Sequence, residues 1–409
     1  MIIIHDMDAL PRLVTAALRL AERAMPVVVL TGARQTGKST LAQDATQGDR
    51  LYLTLDDLDV LEQALGDPDS LVQRGARMTL DEVQRVPTLL LAIKRSVDRK
   101  RQRGRYLLTG SANLLLMRRI SETLAGRASY LTLWPMTRRE QRGLGRCGLW
   151  QELLDAPDDK WPSILSAHSA PREDWTSLAV RGGYPTPALE LEPEARAAWF
   201  DGYTRTYLER DVQQISVLTH LPDLRRLMRA VCLRLGQLIN QTELGRDVAL
   251  PQPTVHRWLN LLETSYQLVR LPAYSVNRTK RLIKAPKLYW SDTGLALHLS
   301  GEKPGGPHLE NLVLCDLLAW RDSATRQAEV LYWRTATGEE VDFVIETANS
   351  LLPIEVKATD RPRTGDIKHL LSFRQEYGRR SRPGLLLHTG TRIEWLADGV
   401  LAAPWWAVV

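Results

Sequence analysis

The sequence predicts an α/β protein of several domains, and three observations predict it. Residues up to about 140 alternate short apolar runs with helical stretches, the pattern of a parallel sheet flanked by helices. Residues 222–272 read as a small helical module, and from about Leu288 the pattern returns to mixed helix and strand. A length of 409 residues suits about two to four domains.

In chain order, "VVVL" (27–30), "LYLTL" (51–55), "MTL" (78–80), "YLLT" (106–109) and "YLTL" (130–133) are the expected buried strands. Residues 140–180 lack a clear period and are rich in Trp, Asp and Pro, so they read as a variable insertion. "RGGYPTP" (181–187) is a turn-rich segment, and 194–215 reads as a long amphipathic helix. The composition, 44% hydrophobic and 25% charged, is that of an ordinary soluble globular protein. No apolar run approaches the ~20 residues of a membrane span. The opening "MIIIHDMDALPRL" is no signal peptide, because Asp6 and Asp8 interrupt it. Three scattered cysteines without metal spacing suit a reducing cytoplasm, the expected location. The net charge is +6, and basic residues concentrate in 94–105 and 270–287, as phosphate-backbone contact would favour.

The most specific motif is "GARQTGKS", Gly32 to Ser39, set between an apolar strand and a helix. Such a phosphate loop turns backbone N–H groups inward on a nucleotide, over Gly32, Ala33, Arg34, Gln35, Thr36, Gly37, Lys38, Ser39 and Thr40. Lys38 is expected on the β and γ phosphates of ATP, and Ser39 on Mg²⁺. "MTLDE" ends a strand with Asp81, expected to hold Mg²⁺ through water, and Glu82, expected to orient the attacking water. Thr109 or Ser111, at the end of a further strand, is expected between the acidic pair and the γ-phosphate.

The middle module reads as a helix-turn-helix followed by two strands that form a wing. Val255, Leu259 and Leu262 recur on one helical face, leaving Thr254, His256 and Arg257 toward DNA. Arg278, Lys280, Arg281 and Lys284 in the wing are expected to track phosphates. A protein-contact role for the same module is the competing reading.

At the C-terminal end, Asp342 lies in one apolar strand, and Glu355 and Lys357 share a face of the next. Glu310 can approach them from a helix. The order Glu, Asp, Glu-x-Lys resembles the PD-(D/E)XK nucleases. That resemblance implies Mg²⁺ or Mn²⁺ on Asp342 and Glu355, with Lys357 orienting the attacking water. The competing reading is a nuclease-like fold that does not cut.

Taken together, "TGARQTGKSTL", "LDEVQR", "LLTGSANLLL", "ISETLAGRASYLTLWPM", "RGGYPTP", "KAPKLYWSDTGLA", "LENLVLCDLL" and "WRTATGEEVDFVIE" resemble the AAA+ ATPases that carry a C-terminal DUF4143 domain. The resemblance implies a P-loop AAA-type ATPase core (1–140), a helical lid or linker with the insertion (141–220), a winged-helix module (221–285) and a restriction-endonuclease-like α/β domain (286–409). It implies a homo-oligomer, a hexameric ring being one form, with Arg127 reaching a neighbour's γ-phosphate and Arg118 and Arg119 as rivals. The function expected is ATP hydrolysis coupled to DNA remodelling or processing, including branched DNA. Two alternatives stand beside it: a signalling ATPase whose terminal domain never cuts, and an ATP-gated toxin or defence nuclease.

Overall fold

The computed structural model describes residues 10–44, 50–110, 123–168, 170–207, 221–324 and 326–409. Ser111, Arg118 and Arg119 lie outside the described residues, as does the end of the helix expected to reach residue 215.

Strands β1 (Val27–Thr31), β2 (Arg50–Thr54), β3 (Arg77–Asp81), β4 (Tyr106–Thr109) and β5 (Ala128–Thr132) form a parallel sheet in the order β2-β3-β4-β1-β5. Every residue of β1 is buried, which is why the strand reads as an unbroken apolar run. Its alternate side chains enter different cores. Val28 and Leu30 pack with Val14 and Leu18 of helix Val14–Ala24. Val27 and Val29 join the cluster of Leu89 and Ile93 from helix Leu89–Arg99. With helices on both faces, the open edge is the carboxyl end of the strands, where such sheets bind ligands.

Residues 140–180 differ from the expected irregular insertion. They form helices Trp150–Asp155, Trp161–His168 and Trp175–Arg181, and Trp150 and Trp161 are wholly buried. Tryptophans spaced across several short helices give no single period, so the sequence pattern conceals a packed layer. Asp316 fastens this layer to helix Gly306–Ser323, since its Oδ1 accepts the Gly148 N–H at 2.8 Å and the Trp150 Nε1–H at 2.5 Å. Arg138 holds the chain end, donating to the carbonyls of Val409 at 2.7 Å and Trp406 at 3.1 Å.

The helix-turn-helix is present as helices Gln241–Asp247 and Gln252–Thr264. Asn240 caps the first by accepting the N–H groups of Thr242 and Glu243. β6 (Leu268–Leu271) and β7 (Lys287–Trp290) pair antiparallel, as expected. The segment between them is not a plain basic loop, because it holds helix Arg278–Ile283. Arg278, Lys280 and Lys284 are exposed, but Arg281 is buried. Its guanidinium donates to Glu346 at 2.5 Å and to Glu329 at 2.9 Å, and lies over the Tyr274 ring. Arg281 therefore cannot track phosphates as expected, since its donors are spent inside the protein.

The C-terminal sheet has the order β12-β13-β11-β10-β9-β8. Its strands are β8 (Glu329–Arg334), β9 (Glu340–Glu346), β10 (Leu351–Lys357), β11 (Gly384–His388), β12 (Glu394–Ala397) and β13 (Val400–Pro404). One face packs Phe343, Ile345 and Ile354 against Leu309, Val313 and Leu317 of helix Gly306–Ser323. The other packs Val344 and Leu386 against Leu370 and Phe373 of helix Lys368–Tyr377. The β8–β9 register slips where Leu331 faces Val344 and Trp333 faces Val341, leaving an extra β9 residue beside Asp342. Such bulges re-aim side chains.

Two outcomes follow for stability. Arg281→Ala removes the two-point partner of buried Glu346 and leaves it only Arg380 at 3.7 Å, and should cost about 2–3 kcal/mol in urea unfolding. Lys284→Ala, at an exposed site, should stay within about 0.5 kcal/mol of the parent. Asp316 is a second case. Burial pushes its carboxyl up to about 6, so the folded chain holds the proton more tightly than the unfolded one. Its contribution is complete below the ordinary carboxylate range and is lost as pH rises through about 6. Asp316→Asn should flatten that part of the stability–pH curve, and an unchanged slope would contradict the assignment.

Candidate functional site

The phosphate loop joins β1 to helix Lys38–Asp44. Gly32 has φ 144° and Gly37 has φ 91°. A Cβ on Gly32 would stand 2.3 Å from the Leu133 carbonyl oxygen, so only glycine lets the loop pass that strand end. Ala33 and Thr36 are buried, Arg34 and Ser39 are half-buried, and Gln35 and Thr40 are exposed. Thr36 Oγ1 donates to the Ala33 carbonyl, closing the loop on itself. Lys38 Nζ donates to the carbonyls of Ala33 at 2.7 Å and Gly32 at 3.3 Å, so its ammonium stands in the mouth of the loop.

Three hydroxyls converge on Asp81 at the carboxyl end of β3. Ser39 Oγ donates to Oδ1 at 3.2 Å, Thr109 Oγ1 donates to the same oxygen, and Tyr52 Oη donates to Oδ2 at 2.8 Å. Tyr52 escapes sequence reasoning, because "LYLTL" reads only as a strand. Burial, and then Asp81, hold its phenol above the ordinary value, so it stays a donor. Glu82 follows with φ 58° and accepts from Gln84. Burial, then the neighbouring Asp81, raise its carboxyl from the usual range, a direction that suits a group taking up a proton. The residues present fit a magnesium nucleotide: a glycine cradle, an ammonium in its mouth, and a hydroxyl–carboxylate pair beside it.

Two further residues reach this loop from distant sequence. Arg12 Nη1 donates to the Thr36 carbonyl at 2.8 Å, Nη2 to the Trp134 carbonyl at 2.8 Å, and Nε to Glu140 at 3.1 Å. Tyr266, in the turn after helix Gln252–Thr264 with φ 59°, places its hydroxyl 2.9 Å from Thr31 Oγ1. Thr31 immediately precedes Gly32. The helix-turn-helix module thus touches the strand that carries the phosphate loop. Arg127 is turned to its own chain, in a two-point pair with Asp98 at 2.6 and 3.1 Å.

In the C-terminal sheet, Glu310 and Asp342 come together, but around a cation the sequence reading missed. Lys287 Nζ lies 2.5 Å from Glu340, 3.2 Å from Glu310 and 3.4 Å from Asp342. Tyr289, two residues on and so on the same face of β7, also donates to Glu310. Asp342 Oδ2 accepts the Val356 N–H at 2.9 Å, and Glu355 pairs with Lys357 at 2.6 Å. Glu355 is buried, and its Oε2 has no partner among the described residues. Burial lowers the Lys287 ammonium, but Glu310, Asp342 and Glu340 outweigh it and hold Lys287 charged. Burial and then Asp342 push Glu310 up to about 7 and Glu355 up to about 8.

The expected Mg²⁺ or Mn²⁺ on Asp342 and Glu355 does not fit this arrangement. Among the described residues no three carboxylate, His or Cys side chains form a group that could hold a metal ion. An ammonium stands among Glu310, Glu340 and Asp342, and one oxygen of Glu355 is taken by Lys357. Sequence reasoning counted Lys287 with the exposed basic strip. The signal available was its place at the head of the buried strand "KLYW", two residues from Tyr289.

Of the residues expected toward DNA, His256 and Arg257 are exposed and Thr254 is half-buried. His256 Nε2 lies 3.1 Å from Asn260 Nδ2. Arg278, Lys280 and Lys284 are exposed on the neighbouring segment. Arg270, from the same strip, is tied to Glu263 and Asn260.

Comparison with known proteins agrees with this layout. An AAA domain model matches residues 24–141, a domain of unknown function (DUF8612) matches 172–305, and a second (DUF4143) matches 305–408. Uncharacterized proteins of Mycobacterium bovis and Mycobacterium tuberculosis are each 31% identical over 358 residues, covering 85% of this chain and 74% of theirs. One from Haemophilus influenzae is 21% identical over 378 residues, covering 86% of this chain and 87% of its own. Among solved structures, AMPPCP-bound DnaA from Aquifex aeolicus is 13% identical with a TM-score of 0.29, covering 61% of this chain and 85% of that one. The Hsp104–ADP complex of S. cerevisiae is 14% identical with a TM-score of 0.29, covering 62% and 39%. Those scores are low, and the fold assignment rests instead on the parallel sheet and its phosphate loop. With its AAA domain at one end, DUF4143 at the other and 31% identity to the mycobacterial proteins across most of its length, the chain belongs to the family of AAA ATPase-like proteins that carry a C-terminal DUF4143 domain.

Proposed function

We propose that this chain is a Mg²⁺-dependent ATPase that works on DNA as a nucleotide-controlled switch and does not cut it. The observation that carries the reading is the convergence of Ser39, Thr109 and Tyr52 on Asp81 beside the Lys38 ammonium. Magnesium bound with ATP would neutralise phosphate charge, and Ser39 and Asp81 are the residues that would hold it. Lys38 would exchange its carbonyl partners for phosphate oxygens. Glu82 would take the proton of the attacking water on its carboxylate. Tyr52 and Thr109 keep the Asp81 carboxylate in one orientation, so little reorganisation is left for the reaction.

Tyr266 supplies a route from this site to the helix-turn-helix. A change in the loop at Gly32 acts on Thr31, and Thr31 bears directly on the Tyr266 hydroxyl. His256, Arg257, Arg278, Lys280 and Lys284 are exposed and would be available to phosphate backbones. The terminal domain then serves as a non-cutting module, because its carboxylates face Lys287 and Lys357. A homo-oligomer with Arg127 acting on a neighbour would require the Asp98 pair to open.

Lys38→Ala and Asp81→Asn should each lower phosphate release from ATP by about 100-fold or more, with the fold intact by circular dichroism. Parent-like hydrolysis in either variant would overturn the site. Arg257→Ala, Lys280→Ala and Lys284→Ala should each reduce the slope of log affinity against log salt for duplex DNA by roughly 1. Binding that ignores salt would favour the protein-directed signalling reading.

A further inference from the structure

The acidic centre of the C-terminal sheet carries one more step. Glu310 comes from helix Gly306–Ser323, Glu340 and Asp342 from β9, and Glu355 from β10. Three carboxylates around one point, with Glu355 on the next strand, would repel one another and lose their hydration, a combination that a cation relieves. The cation present is not an ion but a side chain from another module. Lys287 is 2% exposed, and its ammonium lies within 3.4 Å of three of the four acids. The fourth, Glu355, is paired with Lys357 and keeps one buried oxygen without a partner among the described residues.

We propose that Lys287 is a resident cation, the ammonium of β7 standing where carboxylate-lined nuclease centres hold a divalent ion, so that the DUF4143 sheet is closed to metal while β7 stays in place. Three features support it. Asp342, beside the β9 register slip, meets Lys287 on one oxygen and the Val356 N–H on the other, so each oxygen already has a partner inside the protein. Tyr289 fixes Glu310 from the same strand face, so β7 supplies both the cation and a donor. Arg281, six residues before Lys287, makes a parallel contact with Glu346 at the far end of β9. Two buried cations of one segment thus dock it along a single strand, and the acids of that strand are consumed in docking. The inference rests on the non-cutting reading of the terminal domain, and not on the ATPase or DNA readings.

The test uses the full chain and Mn²⁺ alone, followed by the electron paramagnetic resonance of the free ion. An Asp81→Asn background removes the N-terminal metal contribution. In that background, no bound Mn²⁺ should depend on Asp342. Adding Lys287→Met should create about one Mn²⁺ per chain with affinity at least about tenfold tighter, and Asp342→Asn should abolish it. An Asp342-dependent Mn²⁺ in the chain that retains Lys287 would overturn the proposal, as would a folded Lys287→Met chain with no gain. If Lys287→Met does not fold, the second arm is Lys287→Met with Glu310→Gln. Removing one acid should restore a cooperative thermal transition that the single variant lacks, because the lost group was a counter-charge. A double variant no more stable than the single would sink the idea. Failure of the ATPase or DNA measurements would leave these outcomes untouched.

Discussion

The buried ammonium of Lys287 is the constraint around which the C-terminal half is arranged. Burying an unpaired lysine costs several kcal/mol. Each carboxylate near 4 Å returns about 4 kcal/mol at an effective dielectric of 20, so three acids outweigh that cost where one would barely match it. The converse holds for the acids, which without the lysine would have to take up protons to stay together. That mutual dependence holds Lys287 of β7 against Asp342 of β9, and Arg281 makes the same kind of contact with Glu346. Removing one partner would strand the others, which makes the docking cooperative.

The same logic separates the two ends of the chain. At the phosphate loop the charged groups are poised around an opening. Lys38 rests on two backbone carbonyls, partners it can exchange without leaving a buried charge alone. Asp81 is surrounded by hydroxyls, which orient a carboxylate without neutralising it. In the acidic centre Lys287 and Lys357 stand against the carboxylates, and burial still holds Glu310 and Glu355 well above the ordinary carboxylate range. One arrangement is ready to accept a cation and a phosphate, and the other has already accepted its cation. Tyr266 and Arg12 join the ready site to the rest of the molecule through Thr31 and Thr36.

The phosphate loop was fully legible in the sequence, because its glycines, lysine and serine act through a few consecutive residues and a strand–helix context. The central strands β1, β3 and β4 were legible for a similar reason, since burial on both faces leaves continuous apolar runs, while the edge strands β2 and β5 are only partly buried. Tyr52 and Arg12 were not, because each acts across more than twenty residues through side-chain contacts that no period records. Charge runs misled most. Residues 270–287 look like one basic strip, yet Arg281 and Lys287 are buried, and their partners lie beyond residue 300. A linear count of charge sees the donors but not the acids that fold over them. The Glu, Asp, Glu-x-Lys order lies on helix Gly306–Ser323 and strands β9 and β10, while the cation between its acids, Lys287, comes from outside the motif.

The most direct measurement is a crystal of the full chain soaked in Mn²⁺, with anomalous diffraction recorded for the metal. The account predicts no manganese peak between Asp342 and Glu355, with Lys287 Nζ still seated among Glu310, Glu340 and Asp342. A manganese ion ligated by Asp342 and Glu355, with Lys287 swung away, would contradict it.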